Sequence, residues 1–279
     1  MSYNNFLYLL SDALKNNHIE LALASLKTFR PVDIADVLTQ LSLDQSQLLL
    51  THLPDRAYVF SYLAPNEQVK LAKAMPRNTL AEIIGEMSSD KRADVFKCLD
   101  EDQQNALLPA LAQAEREDIR QLASYLEGTA GAIMSSEYAT LKPNMQVNEA
   151  IKMLRLEAPD TEMIYFAYVL DEARKLLGVL SLKQLILAAE DQNINLLMET
   201  NVLTAYVDTD QDEVAKTIAR YDLLALPIID RKGMMVGIVT YDDAMDVASE
   251  EATEDFLKVG AVNASSKLSI KSAPILHLY

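Results

Sequence analysis

The chain has 279 residues, of which 50% are hydrophobic and 24% charged, and its formal net charge is −16. This length suffices for two or three domains with well-formed cores. The charge disfavours binding to nucleic acid or anionic lipid and favours metal cations or basic partners, although many acidic surfaces have no such function. Cys98 is the only cysteine, which excludes an internal disulfide and a thiolate zinc cage and fits a reducing compartment.

Residues 30–126 have the pattern of a series of short helices. Breaks marked by Pro, Asp, Ser or Asn recur every 11 or 12 residues from Leu41 to Leu99, and each break ends one helix and caps the next. Helices of about ten residues are marginal alone, but side by side they bury a continuous apolar seam. The pattern predicts a superhelical array of short helices, with one or two further helices before residue 30.

After this region, strand-like and helix-like segments alternate, and the alternation occurs twice. Met134 in the first half corresponds to Met198 in the second, and Gly178 corresponds to Gly237, with a longer middle segment in the first half. Each half has the order β-α-β-β-α and is too small for a good core of its own, so we expect two copies packed as a pair.

The predicted fold class is therefore α plus α/β, with a helical array followed by a doubled mixed unit. No stretch of 18 apolar residues and no signal-peptide pattern occurs, so we expect neither a membrane span nor a leader in this sequence. The predicted boundaries are 1–127 for the helical domain, 128–197 and 198–255 for the two copies, and 256–279 for a connecting helix.

One predicted helix near the end of the chain concentrates carboxylates. Asp243, Asp246, Glu250 and Glu254 follow one another at spacings of three, four and four residues, so they share one face. Like charges at these spacings repel by about 0.2–0.5 kcal/mol per pair. Such a face either borders solvent or binds a cation. The acids continue for three turns, so the helix dipole alone does not account for them.

The doubled unit carries the marks of a known module. Ile133-Met134, Gly178-Val-Leu-Ser-Leu and Gly237-Ile-Val-Thr-Tyr-Asp-Asp243 resemble the repeated motifs of a tandem CBS (Bateman) pair. These motifs by themselves are moderately specific, because CBS pairs range from nucleotide sensors to scaffolds.

The neighbouring segments narrow the resemblance. They are Arg30-Pro31-Val-Asp33-Ile-Ala35-Asp36, Met87-Ser-Ser-Asp90-Lys-Arg92-Ala-Asp94, Glu127-Gly128-Thr-Ala-Gly131, the segment 209–215, Arg220-Tyr221-Asp222-Leu223 and the segment 250–255. In this order they resemble the N domain, the junction, the second CBS copy and the connecting helix of MgtE-type magnesium transporters. The resemblance covers about residues 30–262.

The resemblance implies a regulatory region without enzymatic activity, at the cytoplasmic face of the cell membrane. It implies a homodimer formed mainly through the CBS domains, which senses Mg²⁺ and keeps the pore shut when the ion is plentiful. The transmembrane pore domain would follow and would be missing from this chain. The implied Mg²⁺ ligands are Asp90, Asp94, Asp210, Asp212, Asp222, Asp243, Asp246, Glu251, Glu254 and Asp255.

The physical chemistry of Mg²⁺ agrees with such a role. Mg²⁺ keeps several waters and takes one or two carboxylates per ion, which gives weak sites suited to sensing an abundant ion. We expect Asp90 and Asp94, four residues apart on one helix, to meet the acidic helix face and to close on it when cations are present. The alternative to metal binding is a local structural role. Asp90, Asp94, Asp210 and Asp212 would then lie at the first turns of helices as caps, and Asp222 would form part of a turn.

Two further functions remain open. The first is an adenine-nucleotide-sensing CBS module, although Gln184 stands where a ribose-binding acid is usual in the first copy. The second is a helical-repeat scaffold that binds a protein partner. A catalytic function is not indicated, because no Ser-His-Asp order, Walker loop or dinucleotide fingerprint occurs and the three histidines share no ligand spacing.

Overall fold

The computed structural model describes residues 3–158, 161 and 163–253. Glu254, Asp255 and the predicted connecting helix over 256–279 lie outside the described residues. Contacts divide the chain into two compact units. The first unit comprises the chain up to Leu126 together with Ser135–Glu137, and the second comprises Glu127–Met134 and the chain from Tyr138 onward.

The first unit is helical, as the recurring breaks predict. Pro stands at the first turn of two helices, and the side chains of Ser42 and Asp100 accept a hydrogen bond from the main chain at the start of two others. The helices are α1 (Tyr3–Lys15), α2 (Ile19–Leu26), α3 (Pro31–Thr39), α4 (Leu43–His52), α5 (Arg56–Ser61), α6 (Pro65–Ala74), α7 (Arg77–Gly85), α8 (Ser89–Cys98), α9 (Glu101–Leu107) and α10 (Gln113–Leu122).

These helices share one apolar core, as the solenoid pattern requires. Leu49, Leu50, Val59, Phe60 and Ile83 are fully buried in it. Each comes from a helix of ten residues or fewer, so the stability of each helix depends on its neighbours rather than on its own hydrogen bonds.

The second unit has the predicted order twice. In each half a strand pairs in parallel with the next strand, which pairs antiparallel with the third. Its elements are α11 (Ala130–Ile133), β1 (Tyr138–Leu141), α12 (Val147–Glu157), β2 (Met163–Leu170), β3 (Leu176–Ser181), α13 (Leu182–Leu187), β4 (Ala205–Tyr206), α14 (Gln211–Tyr221), β5 (Ala225–Ile229), β6 (Met235–Thr240) and the helical residues 241–253, here α15. The prediction of a helical region followed by a mixed α/β pair is confirmed.

The two halves of the second unit are joined by a small aromatic and polar core. The Tyr138 and Tyr168 rings meet edge to face with centroids 5.9 Å apart. The Tyr138 hydroxyl accepts from Arg174 Nη2 at 2.7 Å and donates to the Met235 carbonyl at 2.9 Å. Because Met235 and Ile238 of β6 pack into the same cluster, the second copy completes a core that the first copy leaves open.

Gly178 in β3 tests how tightly the first copy is packed. A Cβ atom there would lie 2.8 Å from the Glu199 carbonyl oxygen and 2.9 Å from the Met198 side chain. We expect Gly178→Ala to lower the free energy of unfolding by about 1–3 kcal/mol because the backbone must shift. Urea unfolding would measure it. Gly85→Ala is the control, since the nearest atom there, at 3.3 Å, ends the flexible Glu115 side chain; an equal loss in both variants would contradict the argument.

Candidate functional site

Two of the predicted acids lie on α8 in the first unit. Asp90 is only 2% exposed. Its Oδ2 lies 3.6 Å from Lys91 Nζ, and its Oδ1 is buried with no hydrogen-bond partner among the described residues. Asp94 is exposed, and its carboxylate pairs with Lys97 at 3.3 Å. The two acids therefore differ: Asp90 is a buried acceptor with one unsatisfied oxygen, and Asp94 is a surface ion-pair partner.

A buried guanidinium lies next to these acids and was missed by the sequence analysis. Arg92 is 4% exposed and donates to the carbonyls of Ile84 and Met87 at 3.2 and 2.7 Å. It also donates to Glu137 Oε1 at 3.2 Å and lies 3.6 Å from Asp118 Oδ2. One positive charge thus faces two carboxylates directly, with the Asp90 carboxylate near enough to repel Glu137.

The serines around Arg92 complete the network. Ser89 Oγ and Ser135 Oγ, both fully buried, lie 3.2 Å apart. The Ser136 main-chain N–H donates to Ser89 Oγ at 2.9 Å, and the Ser136 hydroxyl donates to Asp118 Oδ1 at 3.1 Å. The run Ser135-Ser136-Glu137 looks in the sequence like an ordinary polar turn before a strand, so no signal in the sequence pointed to this network.

Glu137 is the most perturbed carboxyl of this network. Burial raises the pKa of Glu137 to about 7 from an ordinary 4.5. The Arg92 guanidinium opposes this rise, and the carboxylates of Asp118 and Asp90 add to it. Near neutral pH, Glu137 is therefore divided between its protonated and ionised forms.

Three predicted acids, Asp210, Asp212 and Asp222, border α14 in the second unit, and two of them have a local role. The Asp210 carboxylate accepts from the Asp212 main-chain N–H at 2.9 Å and caps the helix. Asp222 ends the same helix with φ of 51°, and its N–H bonds to the Ile218 carbonyl. The capping role of Asp210 and the turn role of Asp222, given above as alternatives, are thus present, and they leave carboxylate oxygens available for a further ligand. Helix α8 has Ser88 at its N-cap, so neither Asp90 nor Asp94 has the N-cap position.

The predicted acidic face of α15 is not uniform. Asp243 is 5% exposed and accepts from the Thr240 hydroxyl at 2.5 Å, whereas Asp246 is exposed and Glu251 is partly buried. Thr240 and Asp243 stand at the start of the helix, three residues apart, as capping partners do. Asp243 therefore stabilises the helix start, whatever else it binds.

The equivalent position in the first copy is Gln184, which follows Ser181 as Asp243 follows Thr240. Its Oε1 accepts from the Ser181 main-chain N–H at 2.8 Å and from the Ser181 hydroxyl at 2.7 Å. In both copies the side chain at this position thus accepts a hydrogen bond from the hydroxyl at the end of the third strand. In the first copy the amide also accepts from the main chain and caps the helix.

The acids of the described residues do not form a three-ligand cluster for a metal ion. Among residues 3–158, 161 and 163–253, no group of three or more His, Cys, Asp or Glu side chains is placed to hold a metal ion. The donor set itself fits Mg²⁺, which prefers few carboxylates and retained waters, and Asp90 Oδ1 lacks a hydrogen-bond partner among the described residues.

Over residues 3–158, 161 and 163–253, no helix is both long and apolar enough to cross a bilayer.

Comparisons with known proteins identify related chains. Residues 29–128 match the family model of the MgtE intracellular N domain, and residues 130–191 and 193–250 match the CBS domain model. The magnesium transporter MgtE of Thermus thermophilus is 36% identical over 271 residues, which are 95% of this chain and 60% of that protein. The MgtE of Bacillus subtilis is 29% identical over 243 residues, 82% of this chain and 54% of that protein.

Two solved structures align with this chain over nearly their whole length. The soluble part of a magnesium transporter is 30% identical with a TM-score of 0.81, covering 90% of this chain and 100% of that one. The cytosolic domain of the Mg²⁺ channel MgtE in complex with ATP is 37% identical with a TM-score of 0.81, covering 85% and 98%. The chain thus spans about 60% or less of the curated relatives given above.

The pKa of Glu137 predicts a pH-dependent stability. Because this pKa is higher in the folded chain than the ordinary 4.5, the group stabilises the fold at low pH, and that contribution is lost as the pH rises through about 7. Glu137→Gln keeps an acceptor for Arg92 but does not titrate. We expect its advantage in free energy of unfolding over the unaltered chain to grow with pH, to on the order of 1–3 kcal/mol above pH 7.

Urea unfolding between about pH 4.5 and pH 8 measures this difference, since the linkage slope lies between the ordinary pKa of 4.5 and the raised pKa of about 7. Glu190→Gln, an exposed acid of the second unit, is the matched control. A difference between Glu137→Gln and the unaltered chain that stays constant over this range would contradict the assignment.

Proposed function

Because the chain belongs to the MgtE family of magnesium transporters, matching its N domain and CBS pair, we propose that it senses intracellular Mg²⁺ and shuts a transport pore when the ion is plentiful. The family resemblance stated from the sequence is confirmed, and with it the expectation that the chain is not an enzyme. Our proposal places the chain at the cytoplasmic face of the membrane, with its own pore domain as the partner that it controls.

The observation that carries the proposal is the state of Asp90. A buried carboxylate oxygen without a hydrogen bond costs free energy, and Asp90 Oδ1 is such an atom. A cation with its bound waters supplies what this oxygen lacks. The Lys91 ammonium, 3.6 Å from the other oxygen, offsets the charge only in part.

Sensing follows from mass action. If the acids bind Mg²⁺ only in the arrangement that shuts the pore, rising Mg²⁺ shifts the population toward that arrangement. Sites of one or two carboxylates bind weakly enough to empty when the ion is scarce. The residues that we propose to contribute are Asp90, Asp94, Asp210, Asp212, Asp222, Asp243, Asp246, Glu251, Glu254 and Asp255, of which Asp210, Asp222 and Asp243 also have the local roles described above.

We further propose that the chain acts as a homodimer. Large apolar side chains of the first CBS copy are exposed in the single chain, among them Leu156, Ile186, Leu187 and Leu196, at 67–79%. Apolar side chains exposed in this way favour association with another surface. A second copy of the CBS pair, which the family resemblance implies, is the partner that we propose for them.

Small-angle X-ray scattering tests the Mg²⁺ response directly. We expect the radius of gyration to fall, at constant oligomeric mass, as Mg²⁺ rises through the millimolar range at fixed ionic strength. Asp246→Asn removes an exposed carboxylate of α15, and it should raise the Mg²⁺ midpoint roughly tenfold, as loss of about 1.4 kcal/mol of interaction would.

Asp191→Asn is the matched control, because Asp191 is an exposed acid of the same unit with no role in the proposal. Its midpoint should equal that of the unaltered chain. A scattering profile of the unaltered chain that stays the same across the millimolar range would overturn the proposed function.

Adenine-nucleotide sensing is a second candidate, favoured by one finding. The MgtE cytosolic domain that is 37% identical to this chain is an ATP complex. We propose that the CBS pair of this chain takes ATP or AMP as well, although Gln184 replaces the usual acid in the first copy and its oxygen is engaged by Ser181.

Thermal unfolding in EDTA with ATP, AMP or GTP tests this candidate. Binding to the folded chain alone raises its stability by about 2.7 kcal/mol when the ligand is at a hundred times its Kd. ATP and AMP should raise the midpoint and GTP should not. Equal midpoints with all three nucleotides and with none would exclude adenine-nucleotide binding.

A further inference from the structure

The tripeptide Ser135–Glu137, here called the clasp segment, is grouped with the first unit although the residues on both sides belong to the second. It follows α11 and the single residue Met134, and it directly precedes β1. The pairing of β1 with β2 begins only at Tyr138. Ser135 forms an isolated β-bridge, but Ser136 and Glu137 are outside the regular strand.

Side chains of the first unit hold the clasp segment. Ser89 of α8 accepts from the Ser136 main-chain N–H, and Arg92 of α8 donates to the Glu137 carboxylate. Asp118 of α10 accepts from the Ser136 hydroxyl. Ser89 and Arg92 are buried, so these contacts are shielded from competing water and are strengthened by the low local dielectric.

The helix that provides two of these contacts also carries two of the candidate Mg²⁺ ligands. Ser89, Asp90, Arg92 and Asp94 all lie within the ten residues of α8. A helix of this length moves as one body, so a displacement at Asp90 also displaces Ser89 and Arg92.

On the other side of the clasp segment, one residue leads into the second CBS copy. Tyr138 follows Glu137, and its hydroxyl donates to the carbonyl of Met235, the first residue of β6. Strand β6 ends at Thr240, and α15 with Asp243 and Asp246 begins at the next residue. The described residues thus provide a continuous covalent and hydrogen-bonded route from α8 to the acidic helix.

We propose that the clasp segment is a coupling element: Ser89 and Arg92 act as positioning residues that transmit the state of α8 through Ser135–Glu137 and Tyr138 to β6 and α15. The route itself is independent of metal, and only its use in Mg²⁺ sensing rests on the proposed function. It makes the two groups of candidate acids interdependent within one chain.

The test removes the side-chain contacts of Ser136 and Glu137 but keeps Arg92, because Arg92→Ala would leave buried carbonyls and carboxylates unpaired. The clasp variant is Ser136→Ala with Glu137→Ala. Glu137→Gln is the conservative variant, since its amide oxygen still accepts from Arg92. The matched control is Ser124→Ala, which removes a hydroxyl that donates to the Gln121 carbonyl at 2.6 Å in the same unit. The full 279-residue chain is used throughout.

Hydrogen–deuterium exchange read by mass spectrometry compares α8, β1 and β6, first in EDTA and then in millimolar Mg²⁺. In EDTA we expect β1 and β6 to exchange at least fivefold faster in the clasp variant, because it loses two hydrogen bonds and the loss of one ordinary hydrogen bond would give about that factor. Exchange in Ser124→Ala should match the unaltered chain, and exchange in Glu137→Gln should be no faster than in the unaltered chain. Equal exchange of β1 and β6 in the clasp variant and the unaltered chain would overturn the proposal.

The Mg²⁺ arm separates this proposal from the proposed function. Mg²⁺ should slow exchange of α8 in both the unaltered chain and the clasp variant. It should slow exchange of β1 and β6 only in the unaltered chain, where the clasp segment keeps its contacts. A purely structural role of the clasp segment would not produce this difference in the response to Mg²⁺. Slowing of β1 and β6 in the clasp variant overturns the coupling and leaves Mg²⁺ sensing in place. If Mg²⁺ leaves α8 unchanged in the unaltered chain, the proposed function fails, while the EDTA comparison still decides whether the route exists.

Discussion

Every element of this chain is too small to be stable alone, and that constraint governs both units. The helices of the first unit have between six and thirteen residues, a length at which an isolated helix is marginal. Each half of the second unit has a three-stranded sheet, and the first half leaves Tyr138 and Tyr168 to be covered by Met235 and Ile238 of the other. Neighbours therefore supply the stability, and a change in one element is felt in the next.

The carboxylate side chains occupy two kinds of environment in the two units. Some carboxylates close hydrogen bonds at helix ends, as Asp210 and Asp243 do, where the positive end of the helix dipole favours them. Others lie close to one another: the half-buried Asp118 and Glu137 both face Arg92, and the buried Asp90 is near enough to repel Glu137. The first kind is locally satisfied. The second keeps an unbalanced negative charge that only a proton or a cation offsets.

This difference bears on how a regulatory region can respond to an ion. A carboxylate already held by a cap is well ordered before any cation arrives, so little conformational entropy is lost when it binds one. A carboxylate such as Asp90, buried with an unsatisfied oxygen, makes the ion-free state costly. Together they give a weak site that still has a structural consequence, which is the requirement for sensing an abundant ion in the role that we propose.

The sequence by itself determined the short helices, the doubled β-α-β-β-α unit and the family, because breaks, periodicity and repeats are local or recur at fixed spacing. It also identified a capping role for Asp210 and a turn role for Asp222 as alternatives, since those depend only on the neighbouring residues. The tertiary structure alone decided that Asp243 turns inward to Thr240 while Asp246 faces outward. It alone also brought Arg92, Asp118 and Glu137 together from well-separated parts of the chain. Burial and long-range pairing depend on how distant segments pack, and no spacing along the chain records that.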